Sequence, residues 1–536
     1  MNMKRQDSGN EAPSLPATLV IGAAGHRKID DGPGLEVAVA DAIHDVIDLV
    51  PPLRNTELVL TVLSPLAEGA DRIVAHEVLR LPGSRLEVVL PMDREAYARD
   101  FESAGSRREF DELVDAASAV RRIDGASSRT DAYARAGRYV VDHCDILVAI
   151  WDGQPAEGPG GTAEVVEYAR SRGCPLIWLD PTDRGKAKYE PGNGLRAEAF
   201  RDLDFYNAET APQSEVRKTA TSLEEEVRRE AARSRLDPGR LDAALKTFLP
   251  HFAKADALAA KYRNLYARAG GSVYLLAALA ASIAGFQAIF APRRPGIVLF
   301  EVLCLAAVLA IVGSSHLWKW HPRWIDRRFL AERFRSALFV AMAGGQMSQQ
   351  EPPRHLSLAY SPRDWIVSAF LALWRRLPPL PGPGPDEIEG LKRFIGAAWI
   401  APQIAYHEGA ARRLQARHER LARLGYGLFG AAFAAAVLHV ARVGSEPIHE
   451  TLSFIAIAAP AAAGALGALR GHREFQRNAR RSAEMARHLQ GIARRLEDAR
   501  GRDELLSLVA ETDEVMLNEN ADWRVVVRFH GIEPSA

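Results

Sequence analysis

Cysteine is scarce in this chain: the 536 residues hold only Cys144, Cys174 and Cys304. They show no paired spacing, so neither a disulfide framework nor a zinc site is expected. An excess of one charge is missing too. Lys and Arg together total 68, as do Asp and Glu, so bulk charge indicates no nucleic-acid partner. The leader, Met1–Pro16, is polar and has no apolar centre, so it reads as disordered and no cleavable signal peptide is expected.

Charge is also nearly absent from four long apolar stretches. Ser272–Ala291 and Leu452–Leu469 contain none, Ile297–Val312 contains only Glu301, and Gly425–Val443 only Arg442. Each has roughly the length a helix needs to cross ~30 Å of hydrocarbon. They pair into two hairpins, turned at Pro292–Gly296 and Ala441–Thr451. Basic residues crowd one side of both pairs: Lys261, Arg263, Arg268, Lys319, Arg323, Arg327 and Arg328 at the first, Arg413, Arg417, Arg420, Arg423, Arg470, Arg473, Arg477 and Arg480 at the second. The opposite turns carry only Arg293, Arg294 and Arg442, so the positive-inside bias puts both termini in the cytoplasm. Trp318, Trp320 and Trp324 suit the interface. Glu301 leaves two readings open: it snorkels or pairs with Arg293 or Arg294, or it lines an aqueous path in an oligomer.

Ahead of the hairpins, short β-branched runs alternate with helical periodicity. Strands are expected near Thr18–Ile21, Leu58–Leu63, Leu86–Leu90, Ala119–Ile123, Ile146–Trp151 and Leu176–Leu179, with helices between them. That alternation predicts an α/β doubly wound parallel sheet with its ligand beyond the carboxyl ends of the strands. The fold class is then an N-terminal α/β domain followed by an all-α transmembrane region of four helices.

Three strand ends carry candidate ligand-binding residues. The first is Gly22, Gly25, His26 and Arg27, with Lys28 beside them: glycines for a tight turn and cations for an anion. The second is Ser64, Glu68, Gly69, Asp71 and Arg72, where a hydroxyl and amides at a helix start suit a phosphate, although Asp71 also serves as a first-turn acid. The third is Gly160, Gly161, Thr162 and Glu164, with Thr162 as the expected N-cap.

The run from Ser64 to His76, Ser-Pro-Leu-Ala-Glu-Gly-Ala-Asp-Arg-Ile-Val-Ala-His, resembles the SLOG superfamily, which includes the DNA-processing Smf proteins and the lonely-guy nucleotide hydrolases. Pro65 stands where glycine is usual in the Smf-type pattern. Pro159-Gly-Gly-Thr162 resembles the lonely-guy Pro-Gly-Gly-x-Gly-Thr-x-x-Glu motif, but Val165 occupies the glutamate position and Glu164 and Glu167 do not. A displacement of one helical position, about 100°, changes the aim of a catalytic carboxylate. The resemblance covers about Thr18–Asp180 and implies that the domain binds a nucleotide or nucleotide-derived signal, with no further cofactor.

Beyond it, Pro181–Gln213 reads as a linker, Ser222–Arg235 as a solvated charged helix, and Leu241–Ala269 as a helix broken near Pro250 that leads into the membrane. The second half reads as an internal duplication. Arg328-x-x-Ala-Glu332-x-x-Arg335 and Arg480-x-x-Ala-Glu484-x-x-Arg487 lie 152 positions apart, as do Pro250 and Pro402, and Asp364-Trp365 and Asp522-Trp523 close the two units. The unit resembles the SLATT two-helix membrane effector domains. Trp365–Trp374 is apolar but too short to span, so an interfacial or packed helix is expected, and Pro378–Pro385 is a stiff spacer. The basic Arg470–Arg500 helix lies near anionic lipid or is simply solvated.

The expected domains are 17–180 (SLOG-like), 181–239 (linker and charged helix), 240–377 (first hairpin unit), 378–386 (Pro/Gly linker) and 387–536 (second hairpin unit). The resemblances imply a nucleotide sensor fused to a membrane effector of bacterial conflict or antiphage defence. Its partners are then a nucleotide-like small molecule, the bilayer of the bacterial inner membrane and further copies of itself, with no nucleic acid. Two other readings stay open: a membrane-anchored phosphoribohydrolase using Glu164 or Glu167 with Arg27, and a scaffold whose α/β domain binds nothing.

Overall fold

Strand and helix alternate through the first 210 residues, and the remainder is helical. The structure, a computed structural model, describes residues 14–29, 33–155, 160–183, 186–195, 197–344, 365–378, 380 and 383–527. The first part contains β1 (Ala17–Gly25), α1 (Pro33–Asp48), β2 (Leu58–Ser64), α2 (Ala70–Leu79), β3 (Arg85–Leu90), α3 (Arg94–Ala98), α4 (Ala104–Ala116), β4 (Ala119–Arg122), α5 (Arg129–His143), β5 (Ile146–Ile150), α6 (Thr162–Arg172), β6 (Leu176–Asp180), β7 (Lys186–Glu190) and α7 (Ala197–Ala208). The second contains α8 (Gln213–Ser234), α9 (Pro238–Phe290), α10 (Val298–Leu317), α11 (Trp320–Met342), α12 (Trp365–Trp374), α13 (Ile388–Phe394), α14 (Ala401–Val440), α15 (Glu446–His472), α16 (Phe475–Asp498) and α17 (Arg502–Val527). Two compact units result: Pro13–Thr210 with Tyr360–Arg376, and Ala211–Ala359 with Leu377–Ala536.

In the first unit the strands order as β4-β3-β2-β1-β5-β6-β7, parallel except for the antiparallel edge strand β7. The period of two divides each strand between two cores. Leu19, Ile21 and Ala23 of β1 join the face covered by Val39 and Ile43 of α1 and Val74 and Val78 of α2. Ala24 joins the other, where Val140 of α5 and Val166 of α6 pack. Helix starts follow local chemistry: Ser103 and Ser128 accept hydrogen bonds from the amides of Ser106 and Asp131, capping α4 and α5. Gly173, at φ 64°, ends α6.

Two expectations about boundaries are corrected here. The stretch read as a linker, Pro181–Gln213, instead supplies β7 and α7 to the sheet unit. Its polar side chains bind back to the fold: Asn207 exchanges hydrogen bonds with both backbone groups of Leu15, and Asp204 accepts from the amides of Arg54 and Asn55. The segment Tyr360–Arg376, assigned from sequence to the first hairpin unit, also belongs to the sheet unit. Its helix α12 packs Trp365 against Tyr206 in a tilted pair with centroids 5.5 Å apart, and Arg375 and Arg376 pair with Glu87 and Glu57. Of the two readings of this apolar segment, the packed helix is the one found. A crevice of ≈ 470 Å³, open to solvent, remains beside it, lined by Thr18, Asp145, Phe200, Leu203, Trp365 and Ser368.

The helical unit holds four helices long and apolar enough to cross a membrane, the membrane-side parts of α9 and α14 together with α10 and α15. Asp237 caps α9 by accepting from the Gly239 and Arg240 amides, with Pro238 in the first turn. The break expected at Pro250 is absent, and α9 runs unbroken from Pro238 to Phe290. Leu249, His251, Phe252 and Ala253 are all buried, and that packing holds the helix through the lost hydrogen bond. At the equivalent Pro402 the strain is relieved differently, by a π-helical turn at Ile395–Ile400 just before α14. After each membrane helix that returns to the basic side, the N-cap of the next helix is a non-glycine residue in the left-handed region, Lys319 at φ 48° and Glu474 at φ 44°. There the chain changes direction into α11 and α16.

Candidate functional site

The strand order reverses between β1 and β5, so the crevice of a doubly wound sheet opens beyond their carboxyl ends. The His26 amide donates to Ile150 O at 3.1 Å, and His26 Nε2 lies 3.0 Å from Asp152 Oδ1, which ties the two turns together. The Gln154 amide, and then His26, hold the Asp152 carboxyl below the usual carboxylate range. Gly25 is fixed by space, since a Cβ there would stand 2.2 Å from Ala70 Cβ. Gly22 lies deeper: its missing side chain makes room for Val140 and for Cys144 Sγ, so it serves the core.

The second group forms a buried brace. Ser64 is fully buried, and its Oγ accepts from the Leu66 amide at 2.9 Å while Leu66 sits at φ 58°. Gly69, at φ 79°, brings the chain so close to the first turn that a Cβ would lie 2.6 Å from the carbonyl oxygens of His26 and Arg27. The Ala70 amide donates to His26 O at 3.1 Å, so this amide at the start of α2, expected to face a phosphate, is committed to the fold. Arg72 is 4 % exposed and spans Leu66 O, Ser106 and Glu109, with its guanidinium 4.6 Å from the Phe101 ring centroid. Its Nη2 is buried without a hydrogen-bond partner among the described residues. Glu68 accepts from Ser106 Oγ and from the Glu102 amide. Asp71 lies beneath, accepting from the Ala67 amide at 3.2 Å. Burial raises its pKa to about 7 against the opposing pull of the Ala67 amide, Arg27, Arg72 and Ser64.

In the third group Gly161, not Thr162, is the N-cap of α6, and it supplies no capping side chain. Thr162 is the first helical residue. Glu164 accepts from the Gly160 amide at 2.6 Å and from Arg138 at 2.7 Å, and those two bonds hold its carboxyl below the usual range. Gly160, at φ 85°, lies against α5, where a Cβ would stand 3.2 Å from both Thr130 O and Tyr133 Cβ.

Tyr133 is the link that sequence reasoning missed. The exposed Arg27 holds its guanidinium 4.9 Å from the Tyr133 ring centroid, and the Tyr133 hydroxyl bonds to Asp100, which also takes Arg129. Arg27, Tyr133 and the uncapped start of α6 therefore meet at one edge: a cation, an aromatic face and first-turn amides without intrahelical acceptors. Such an arrangement suits an anion carrying a ring. Ser128, capping α5, was the sequence signal that a helix starts at this edge. Among the described residues no group of three or more His, Cys, Asp or Glu converges as metal ligands would. Away from this edge, the buried Cys144 and Cys174 have their sulfurs 3.7 Å apart, brought together across 30 residues of chain.

Residues 399–523 match the family model described as SMODS and SLOG-associating 2TM effector domain 1. None of the curated proteins compared with the chain matches it. The matched region holds α14, α15, α16 and most of α17. With four helices able to span a bilayer and this similarity to a two-helix effector domain, the chain is a membrane protein.

Proposed function

We propose that the sheet unit is a SLOG-like sensor that binds an anionic nucleotide, and that the helical unit answers by opening or breaching the membrane in bacterial defence or conflict. The observation that carries the sensor half is the stacking of the exposed Arg27 over Tyr133, beside the uncapped N-terminus of α6 at the β1/β5 crevice. Phosphate pairs with the α6 amides and with Arg27, whose guanidinium Tyr133 holds in place. The effector half rests on the match at 399–523, whose description names association with SLOG and SMODS partners and a two-helix effector role. In this reading both termini are cytoplasmic and the membrane is the bacterial inner membrane, following the basic clusters on one side of the four spans.

Glu164 supports binding over hydrolysis. It is bonded to the Gly160 amide in its own turn and to Arg138 of α5, and a base must be free to take a proton from the attacking water. The test is isothermal titration of the full-length protein in nanodiscs with a panel of nucleotides. Arg27→Glu and Gly161→Leu are expected to abolish binding of whichever nucleotide the wild type takes. Undiminished affinity in both variants removes the site from this edge, and release of free base from a nucleoside monophosphate restores the hydrolase reading.

A further inference from the structure

The two hairpins meet inside one chain in a way that leaves the same contact half made. Helix α9 of the first hairpin runs antiparallel to α15 of the second across the whole apolar span. At the basic end His472 lies by Tyr266 and Tyr274, with ring centroids 5.1 and 5.7 Å apart, and a Cβ on Gly270 would meet His472 Nε2 at 2.5 Å. Further along, a Cβ on Gly285 would stand 3.0 Å from Ile457 Cγ2, and the Phe290 and Phe454 ring centroids are 5.9 Å apart. Close approach at glycines is what drives helix association in lipid.

Were the repeats related by a two-fold axis, α14 would pack on α10 in the same manner within the chain. It does not: α10 packs on α9, and α14 packs on α15 and α16. Along the apolar span the counterparts at the 152-residue offset are open, whereas those of Tyr266, Gly270 and His472 at the basic end, namely His418, Ala422 and Trp320, are half-buried. Tyr274 is 8 % exposed and its counterpart Tyr426 is 75 % exposed. Val437, the counterpart of Gly285, is 50 % exposed, and Leu305, the counterpart of Ile457, is 46 % exposed. Nothing approaches within 4 Å of where a Cβ on Gly425, Gly427 or Gly430 would stand.

We propose that the occupant of the open α14 face is α10 of a second copy of this chain. The step that carries the first hairpin onto the second is then repeated between molecules. Such a contact is heterologous, so successive copies add head to tail and close into a ring if the rotation allows, each copy contributing two quasi-equivalent hairpins. The inference concerns the helical unit alone and stands whether or not the sheet unit binds nucleotide.

Disulfide trapping in liposomes, with the full-length chain carrying Cys144→Ser, Cys174→Ser and Cys304→Ser, tests it. By analogy with Gly285 against Ile457, Val437 of one copy opposes Leu305 of the next. Under copper-phenanthroline the doubly substituted Val437→Cys, Leu305→Cys chain should give a ladder of dimers and higher species. The two single variants should give none alone and dimers only when co-reconstituted. Three outcomes overturn the proposal: no ladder from the double variant, dimers from Val437→Cys alone, which means a two-fold α14 contact, or trapping only within one chain. Elution of the double variant in detergent at the position of the cysteine-free chain serves as the folding control.

Discussion

The two hairpin units carry the same short motif in opposite surroundings. In the first, Glu332 is 3 % exposed and pairs with Arg328 and Arg335, while Arg328 also reaches Asp256 of α9. The motif lies inside, with α11 packed between α9 and α17, and Ser336 is bonded to Asp513 of α17. In the second, Glu484 and Arg487 stand exposed on α16. The same residue types thus hold a structural task in one unit and stand on the surface in the other.

The sharpest break of that comparison is the pair Glu332→Ala and Glu484→Ala. Removing Glu332 takes the carboxylate from the largely buried Arg335 and leaves Arg328 with Asp256, and is expected to cost about 3–5 kcal/mol. Removing Glu484 should stay within about 0.5 kcal/mol. Denaturant titration of both variants in detergent decides it, and equal losses would mean that the second motif is covered as well.

A somewhat smaller effect is expected in the other unit, where α12 closes the sheet domain from far along the chain. Trp365→Ala should destabilise that domain by about 3 kcal/mol, the low end for a buried aromatic, read as earlier loss of amide-exchange protection in α7 and β1. A truncation ending near residue 210 should show the same loss, and the peptide 360–376 should restore it. Protection unchanged in both would mean that α12 does not hold the sheet.

Next in size is the pH response of Asp71. Its folded pKa, about 7, is raised above the ordinary value of 3.8, so the folded state holds the proton more tightly. The contribution is fully present below about 3.8 and is lost as pH rises through about 7. Asp71→Asn removes this slope, so the variant's thermal midpoint should gain on the wild type as pH rises through that window. A constant difference between the two would mean that Asp71 is ionised throughout.

The smallest expected effect is at Glu301, in the first turn of α10. If the helical unit conducts and this residue lines the path, Glu301→Gln should leave assembly intact and lower the preference for cations over anions in leakage. An unaltered preference assigns it to snorkelling.

Much of this architecture was legible because its signals are local. Apolar runs of spanning length and period-two strands bounded by glycine need no tertiary partner to be recognised. What escaped depends on distant partners. The edge strand β7 reads Lys-Ala-Lys-Tyr-Glu, with only Ala187 and the exposed Tyr189 on its apolar face, and it forms because β6 offers an open edge. Trp365 is 159 positions from Tyr206, and nothing near either residue announces the other. At the candidate site the glycine motifs were visible, but glycines report only where backbones approach. Gly22, Gly25 and Gly69 prove to make room for protein, and the group that could meet a ligand, Arg27 on Tyr133, joins one motif to a helix that carries none.

Dye release tests the central claim most directly. Liposomes holding the full-length protein are exposed to the nucleotide that titration identifies as bound. Release is expected with the wild type and is expected to vanish with Arg27→Glu, which leaves every membrane helix untouched. Equal release from both proteins, or none from the wild type with its nucleotide bound, would contradict the account.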